Sequence, residues 1–475
     1  MITAGVANIL FWGLLGFWLV VSNQPSNPTY IVFCTLISAI AFFVVINPWQ
    51  NDIFEPIKCV SALYGISFGI GPLVLAPDGA YAFEYLGAAR EELLSYGAIH
   101  AFVGFLCLLT SYYAGRSGFR KVDWCQSQEL SWTEKSTLTW IGFGLLVVGA
   151  TSYLMLVVLT GGFAHFFYYT GARGDIFQGV FGGFYWGAFF MVAGLCALGT
   201  AHAKKRPILI VLLGLLIGAA FAVFQGRDEL LGPLCCAVVL VHYCYKKLNL
   251  KLITVVALIL FILASLIGAY RVAEKKAIYK NAAGFLEGFL EAVIFHSKTT
   301  FSNNLEQMDA LLIAERYVQV SGKTLNGATL VDWLTPINKH LLGNAIPSIH
   351  PGVFLDYAAI SEHRWNKSHT ALSPSLTGEL YLNFSVTGVI IGLFFYGLLL
   401  RWVYVHFIEA RHSRFLRCLY PFALWVLSKA VIDGTVLFFR LFVVTVPLAM
   451  VCWYLVLRSS QKRSVHIETQ VNMRG

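Results

Sequence analysis

Four arginines lie at or near the ends of long apolar runs, where they could bind an anion. They are Arg173 in GARGD, Arg227 in QGRDEL, Arg271 at the end of an apolar run, and Arg440 in LFFRLF. A guanidinium group can pair with a phosphate through two parallel hydrogen bonds. Charge in lipid is costly and usually functional. The four residues therefore predict a site for a phosphate or pyrophosphate group; the alternative is that they meet lipid headgroups or pair with carboxylates.

A second group of polar residues precedes a later apolar run, in the segment SHTALSPSLTG. Ser373 followed by Pro374 predicts a helix N-cap with proline in the first turn. Glu379 then falls in the first turns of that helix, where the helix dipole favours a carboxylate. Either Glu379 or His369 could serve as a general base. The alternative for Glu379 is an ordinary acidic residue of a first helical turn.

The composition of the chain indicates that the elements carrying these residues are membrane-spanning helices. The 475 residues are 57% hydrophobic and only 12% charged, too few charges for the surface of a soluble protein of this length. Apolar runs of about twenty residues can each cross the hydrocarbon core as a helix. We predict an all-α polytopic membrane protein with about twelve spans: 4–22, 29–47, 58–76, 93–114, 137–160, 180–201, 207–224, 229–245, 252–270, 377–400, 418–436 and 438–457.

The basic residues of the short loops predict the orientation. Most lie on one side of the predicted spans, as in the clusters at Lys204–Arg206 and Lys246–Lys247, while the opposite short loops hold only Arg90, Arg173 and Arg227. The positive-inside rule then places both termini in the cytoplasm. The chain divides into a membrane bundle at 1–270, a long outer loop at 271–376, and a second bundle with a short cytoplasmic tail at 377–475.

The long outer loop is expected to contain short helices. Residues 281–296 show the periodicity of an amphipathic helix at the membrane surface, and residues 304–318 form a second helical stretch. None of the ten cysteines lies in this loop, so no disulfide framework is expected there. On this side Glu91–Glu92 is a pair of adjacent carboxylates, and no clustered His and Cys residues suggest a metal site.

This arrangement resembles the Wzy-type polymerases of O-antigen and related surface polysaccharides, including the enterobacterial common antigen polymerase. The resemblance lies in QGRDEL, in the long late outer loop, in SHTALSPSLTGELYLNFSVTG (368–388) and in FFRLFVV. It implies a GT-C-like fold in the bacterial inner membrane. It also implies a glycosyltransferase that moves a glycan from undecaprenyl pyrophosphate to the terminal sugar of an incoming lipid-linked repeat unit at the periplasmic face.

The resemblance also implies roles for individual residues. Arg227 and Arg440, with Arg271, would hold the pyrophosphate; Arg173 would help to bind the acceptor or its carrier. Ser373 would contact substrate, and Glu379 or His369 would be the base. The expected partners are undecaprenyl-pyrophosphate-linked glycans, the lipid bilayer and a chain-length-regulating co-polymerase, with no cofactor, metal or nucleic acid. The alternatives are a ligase that transfers the glycan to lipid A or protein, a lipid-linked oligosaccharide flippase, or a structural scaffold of an export complex.

The predicted orientation can be tested by thiol labelling. Cysteines introduced one at a time between residues 271 and 376 should react with a membrane-impermeant maleimide in spheroplasts. The unsubstituted chain is the control, because its ten cysteines all fall in predicted spans or cytoplasmic segments. If these cysteines react only after the membrane is permeabilised, the loop faces the cytoplasm and the predicted orientation is wrong.

Overall fold

The computed structural model describes most of the predicted spans. It covers residues 27–47, 52–75, 90–114, 132–159, 162, 180–225, 227–249, 307–331, 349–351, 354–355, 374–409 and 417–438, and a few residues between 441 and 450. The predicted spans 4–22 and 252–270, the amphipathic helix 281–296 and most of 438–457 lie outside the described residues.

The described residues form helices and no strand, which confirms an α-helical membrane protein. Five helices are long and apolar enough to cross a membrane: Pro28–Ile46, Glu92–Ala114, Trp132–Leu159, Phe184–His202 and Leu376–Ile408. Two shorter apolar helices, Pro207–Phe221 and Leu231–Cys244, lie at two further predicted spans.

Proline and polar caps determine where several of these helices begin. Helix α1 (Pro28–Ile46) has proline at its start, and the side chain of Asn27 accepts a hydrogen bond from the Tyr30 N–H at 3.0 Å. Helix α2 (Pro56–Tyr64) also begins with proline. It continues through a π-helical turn at Gly65–Ile70 into Gly71–Leu75. Proline suits the first helical position because the N–H it lacks would have had no partner within the helix.

The chain forms two compact units. The first takes its described residues from Met1–Ser117, Ser297–Arg401 and Leu427–Phe438. It contains α1, α2 and α3 (Arg90–Ala114), together with α9 (Gln307–Ser321) from the predicted outer loop. Helix α1 packs against α2 and α3, and α9 packs against α3. The helical stretch predicted at 304–318 therefore exists, as α9, and it belongs to the first unit.

The second unit takes its described residues from Gly118–His296, Trp402–Val426 and Phe439–Gly475. Its helices are α4 (Trp132–Leu159), α5 (Val180–Ala188), α6 (Phe190–His202), α7 (Pro207–Gln225) and α8 (Arg227–Cys244). Helix α4 packs on α5 and α6, and α7 packs on α8. Glycines allow these close approaches, as at Gly142 and Gly194 in α4 and α6. Small residues are typical of helix contacts in membranes.

The predicted span 377–400 lies within the candidate membrane-crossing helix Leu376–Ile408, and this helix is broken. Helix α10 (Leu376–Tyr404) is interrupted at Phe384 (φ −140°, ψ 15°) and Ser385 (φ 56°, ψ −150°). We call the two parts α10a (376–383) and α10b (386–404). Gly392 lies against the side chain of Leu380, although twelve residues of straight helix would separate them by roughly 18 Å. Helix α10a is therefore folded back on α10b, which at about 28 Å still reaches across a bilayer.

The fold-back makes Gly388 a sensitive position. A Cβ atom there would overlap the Leu380 carbonyl oxygen and lie 2.8 Å from the Phe384 Cβ. We expect Gly388→Ala to destabilise the protein by about 1–3 kcal/mol, as overpacking does, and to lower the melting temperature in detergent. Gly144→Ala is the matched control, because nothing lies within 4 Å of its added Cβ. Both changes gain the same helix propensity, so equal melting temperatures would contradict the fold-back.

Candidate active site around the broken helix

Backbone strain is concentrated at the broken helix. Among the described residues, three non-glycine residues have positive φ: Asn326 (48°), Ser375 (50°) and Ser385 (56°). Ser375 and Ser385 flank α10a, and Asn326 contacts its last residue. Such conformations cost of order 1–3 kcal/mol each and persist where the surroundings enforce them, as they do at many functional sites. The strain therefore identifies α10a as a candidate functional element.

Ser375 caps the start of helix α10a, two residues after the cap predicted at Ser373. The Ser375 hydroxyl accepts the Gly378 N–H at 3.0 Å, and the Ser375 carbonyl accepts the Glu379 N–H at 3.0 Å. The Ser375 N–H donates to the Ile432 carbonyl, also at 3.0 Å. The prediction of Ser373 as the N-cap is therefore wrong, because Pro374 lies before the cap rather than in the first helical turn.

The other end of α10a is capped by the loop that follows α9. The N–H groups of Leu325 and Asn326 donate to the carbonyls of Leu382 and Asn383, at 3.1 and 3.2 Å. The Asn383 side chain accepts the Gly327 N–H at 2.9 Å and donates to the Glu379 carbonyl at 2.7 Å and to the Thr329 hydroxyl at 2.5 Å. At the break, backbone N–H groups of the predicted outer loop therefore replace the helical hydrogen-bond partners that α10a lacks.

Glu379 is fully buried and holds α10a against the turn at Gly434. Its carboxylate accepts the Thr435 N–H and the Thr435 hydroxyl, each at 2.7 Å. Gly434 has φ +74°, and a Cβ there would overlap a Glu379 oxygen. These contacts indicate an anchoring role. The role of Glu379 as a general base stays a prediction.

Helix α9 brings polar side chains into the interior of the first unit. All nine residues from Gln307 to Glu315 are buried, so every face of this part of the helix is covered. A Cβ at Gly378 would lie 3.3 Å from the Leu311 backbone nitrogen, so the backbones of α10a and α9 lie in close contact here. The side-chain oxygen and nitrogen of Gln307 have no hydrogen-bond partner within the described part of the chain.

Two carboxyl groups of α9 have altered acidity. Burial raises the pKa of Asp309 from 3.8 to about 7. Burial also raises the pKa of Glu315 to about 7, although the hydrogen bond and charge of His100 oppose this change. The Glu315 carboxylate lies 2.7 Å from His100 Nδ1. Groups that titrate near neutral pH inside a protein are candidates for acid–base chemistry.

The structure describes few of the residues predicted from sequence. Arg227 begins α8 in the second unit, and its side chain lies outside the described residues. Arg173, Arg271, His369, Ser373 and Arg440 also lie outside them. The structure therefore brings together Glu379, α9 and the loop 322–331, and leaves the arginine site a prediction.

Sequence reasoning missed His100, Asp309 and Glu315. His100 lies inside a span, ten residues after its first helical residue, where a lone histidine has no pattern to distinguish it. Asp309 and Glu315 look like ordinary acidic residues of a loop helix, and nothing local shows that this helix is buried. The only usable signal was the helical period of 304–318 itself.

Within the residues that the structure describes, no group of three or more His, Cys, Asp or Glu side chains could hold a metal ion. Comparison with protein-family models, curated proteins and solved structures finds no match to this chain. The function of this chain is therefore inferred from its own residues.

The raised pKa of Asp309 predicts a pH-dependent stability. Its carboxyl binds a proton more tightly in the folded than in the unfolded chain, so stability is highest below about pH 4 and falls as the pH rises to about 7. We expect Asp309→Asn to flatten this fall in melting temperature between pH 4.5 and 7.5 in detergent. Asp433→Asn is the control, since that carboxylate lies outside α9 and pairs with Lys429 at 3.0 Å. Parallel curves for the unsubstituted chain and Asp309→Asn would contradict the burial of an ionisable Asp309.

Proposed function

We propose that this chain is a polymerase of lipid-linked oligosaccharide repeat units. With it we propose a GT-C-like architecture of about twelve membrane-spanning helices in the bacterial inner membrane, with both termini in the cytoplasm. The observation that carries the proposal is the broken helix α10a. It lies in the segment 368–388 that resembles Wzy-type polymerases, and residues of the predicted outer loop cap its end at Asn383 and contact it at Gly378. Irregular backbone in a membrane segment is tolerated where protein or a cavity surrounds it.

The proposed reaction takes place at the periplasmic face. The hydroxyl oxygen of the acceptor's terminal sugar bonds to the anomeric carbon of the donor glycan. The bond from that carbon to the pyrophosphate oxygen breaks, and undecaprenyl pyrophosphate leaves with the electron pair. Arg227, Arg440 and Arg271 would stabilise the charge that develops on the pyrophosphate, and Arg173 would bind the acceptor or its carrier. The hydroxyl proton goes to a base, and the donor's own leaving group supplies the driving force.

A transporter is the second candidate, because one observation favours it. Broken helices line the substrate sites of many transporters, and α10 is broken. Lys429, a basic residue within the predicted span 418–436, pairs with Asp433 one turn away at 3.0 Å. Its charge is therefore compensated within its own helix, α11 (Tyr420–Asp433). A ligase shares the polymerase chemistry and differs only in its acceptor.

Purified protein should extend a synthetic undecaprenyl-pyrophosphate-linked repeat unit into a ladder with chelator present. We expect Arg227→Ala and Arg440→Ala to reduce extension by about 100-fold or more, as loss of a group that stabilises developing charge does. Arg227→Lys should also be defective, because it keeps the charge and loses the two-pronged geometry. Arg206→Ala is the control, since Arg206 lies exposed at the turn between α6 and α7.

The outcomes separate the candidates. A full ladder from both alanine variants at normal protein levels would contradict the pyrophosphate role of these arginines. Movement of the lipid-linked unit across a vesicle membrane without extension would identify a transporter. In a deletion strain, a lipid A core that carries one repeat indicates a lost polymerase, whereas bare core indicates a lost ligase.

A further inference from the structure

We propose that His100, oriented by Glu315, is the general base that accepts the proton of the acceptor sugar's hydroxyl. Tyr96 and Tyr381 would provide the surface against which the sugar ring lies. This inference rests on the proposed polymerase function and assigns its acceptor-activating group. The proposal gives His100 the role of base that the sequence suggested for Glu379 or His369. It is based on the meeting of three helices, α3, α9 and α10a, at His100.

The hydrogen bond between His100 and Glu315 prepares the imidazole for this role. The carboxylate lies 2.7 Å from Nδ1, and 2% of the Glu315 side chain is exposed against 15% of His100. A carboxylate accepts a hydrogen bond, so it favours the tautomer with the proton on Nδ1 and the lone pair on Nε2. No described residue makes a hydrogen bond to Nε2. The inner side of the ring is thus held, and the other nitrogen remains available to a hydroxyl group.

Two tyrosine rings flank the imidazole. The Tyr96 ring lies nearly parallel to it, with centroids 6.2 Å apart and an interplanar angle of 14°; the Tyr381 ring lies 5.4 Å away at 37°. Tyr96 is 47% exposed, so one ring face of this group remains accessible. Aromatic faces attract a cation and would stabilise the imidazolium formed when His100 takes a proton. The titratable groups facing His100 are Glu315 of α9, Tyr381 of α10a and Tyr96 of its own helix.

Helices α3 and α9 approach closely beside His100, near the end of α3 that is predicted to face the periplasm. A Cβ at Gly97, one turn before His100, would lie 2.5 Å from Leu312 Cδ2 and 3.5 Å from Glu315 Oε2, so the glycine lets α9 lie directly on α3. Tyr381 belongs to α10a, the element that carries the strain and the resemblance. In the predicted orientation, α3 and α10b both run inward from the periplasmic side, and His100 is in the third turn of α3.

A buried acid–histidine pair could instead serve only to join two helices. In that case the arrangement would be costly, because desolvation of a buried pair offsets much of its attraction. One oxygen of Glu315 also has no hydrogen-bond partner among the described residues. A pair retained only for stability would be expected to satisfy both oxygens. A carboxylate directed at one histidine is the arrangement by which enzymes orient a catalytic imidazole.

As the acceptor oxygen bonds to the anomeric carbon of the donor, its proton moves to Nε2 of His100. The pyrophosphate oxygen leaves with the electrons of the broken glycosidic bond. The imidazolium then releases its proton to water on the periplasmic side. Glu315 touches no reacting atom, so it is a positioning residue, and His100 is the catalytic residue.

The test is steady-state extension of the synthetic lipid-linked repeat by the full-length chain in detergent or nanodiscs. We expect His100→Ala to lower kcat by about 10²–10⁴-fold, the usual contribution of general base catalysis, with KM changed by less than threefold. Added imidazole should restore part of the rate, because it can fill the space left by the side chain and accept the proton. His406→Ala is the matched control, since His406 is an exposed histidine at the opposite end of α10b.

Glu315→Gln should lower kcat by about tenfold to a hundredfold, and Glu315→Asp should recover part of that loss. If His100→Ala does not accumulate, His100→Gln supplies a side-chain amide that can still donate to Glu315. A variant at His100 that folds and keeps kcat within threefold of the unsubstituted chain would overturn the inference. So would a loss of rate that imidazole does not restore and that accompanies a lower melting temperature. With either result, a ladder made by the unsubstituted chain would still support the polymerase proposal. If the unsubstituted chain makes no ladder, both the polymerase proposal and the role of His100 are contradicted.

Discussion

A helix can break inside an apolar segment only where other groups satisfy the backbone that the break exposes. The surroundings of α10a in the first unit show how this chain meets that condition at Phe384 and Ser385. The loop after α9 supplies N–H donors to the carbonyls of Leu382 and Asn383, and Ser375 accepts and donates at the other end. Without the loop, α10a would have unpaired carbonyls in an apolar environment, at a cost of about several kcal/mol.

This dependence explains why helix α9 of the predicted outer loop packs into the first unit. Helix α9 is buried on all sides from Gln307 to Glu315, and it contacts both α3 and α10a. Its carboxyl groups, Asp309 and Glu315, are buried with it. Desolvation then raises the pKa of Asp309 and of Glu315 to about 7. The same contacts that stabilise the break therefore create the groups that can exchange protons.

The two ends of the first unit use polar residues differently. At the end predicted to face the cytoplasm, Glu55 accepts the Tyr112 hydroxyl at 2.8 Å, and Arg401 lies over the Tyr112 ring at 5.8 Å. These charges compensate one another, as expected for a structural network. At the end predicted to face the periplasm, Gln307 and one oxygen of Glu315 have no partner among the described residues. The buried polar groups of α9 are where substrate contacts can be sought at the periplasmic end.

The amino-acid sequence by itself determined the class of protein, because apolar run length and low charge leave only membrane-spanning helices. Periodicity also identified α9, and proline marked the neighbourhood in which α10a begins. Sequence could not show that Ser375 is the cap rather than Ser373, since both are serines beside Pro374 and the choice depends on Ile432. It could not show that α10 folds back, because VTGVIIG reads as continuous helix and the break is stabilised by residues some sixty positions away. The pairing of His100 with Glu315 was likewise decided only by tertiary structure, since 215 residues separate them and no local pattern records which helix faces meet.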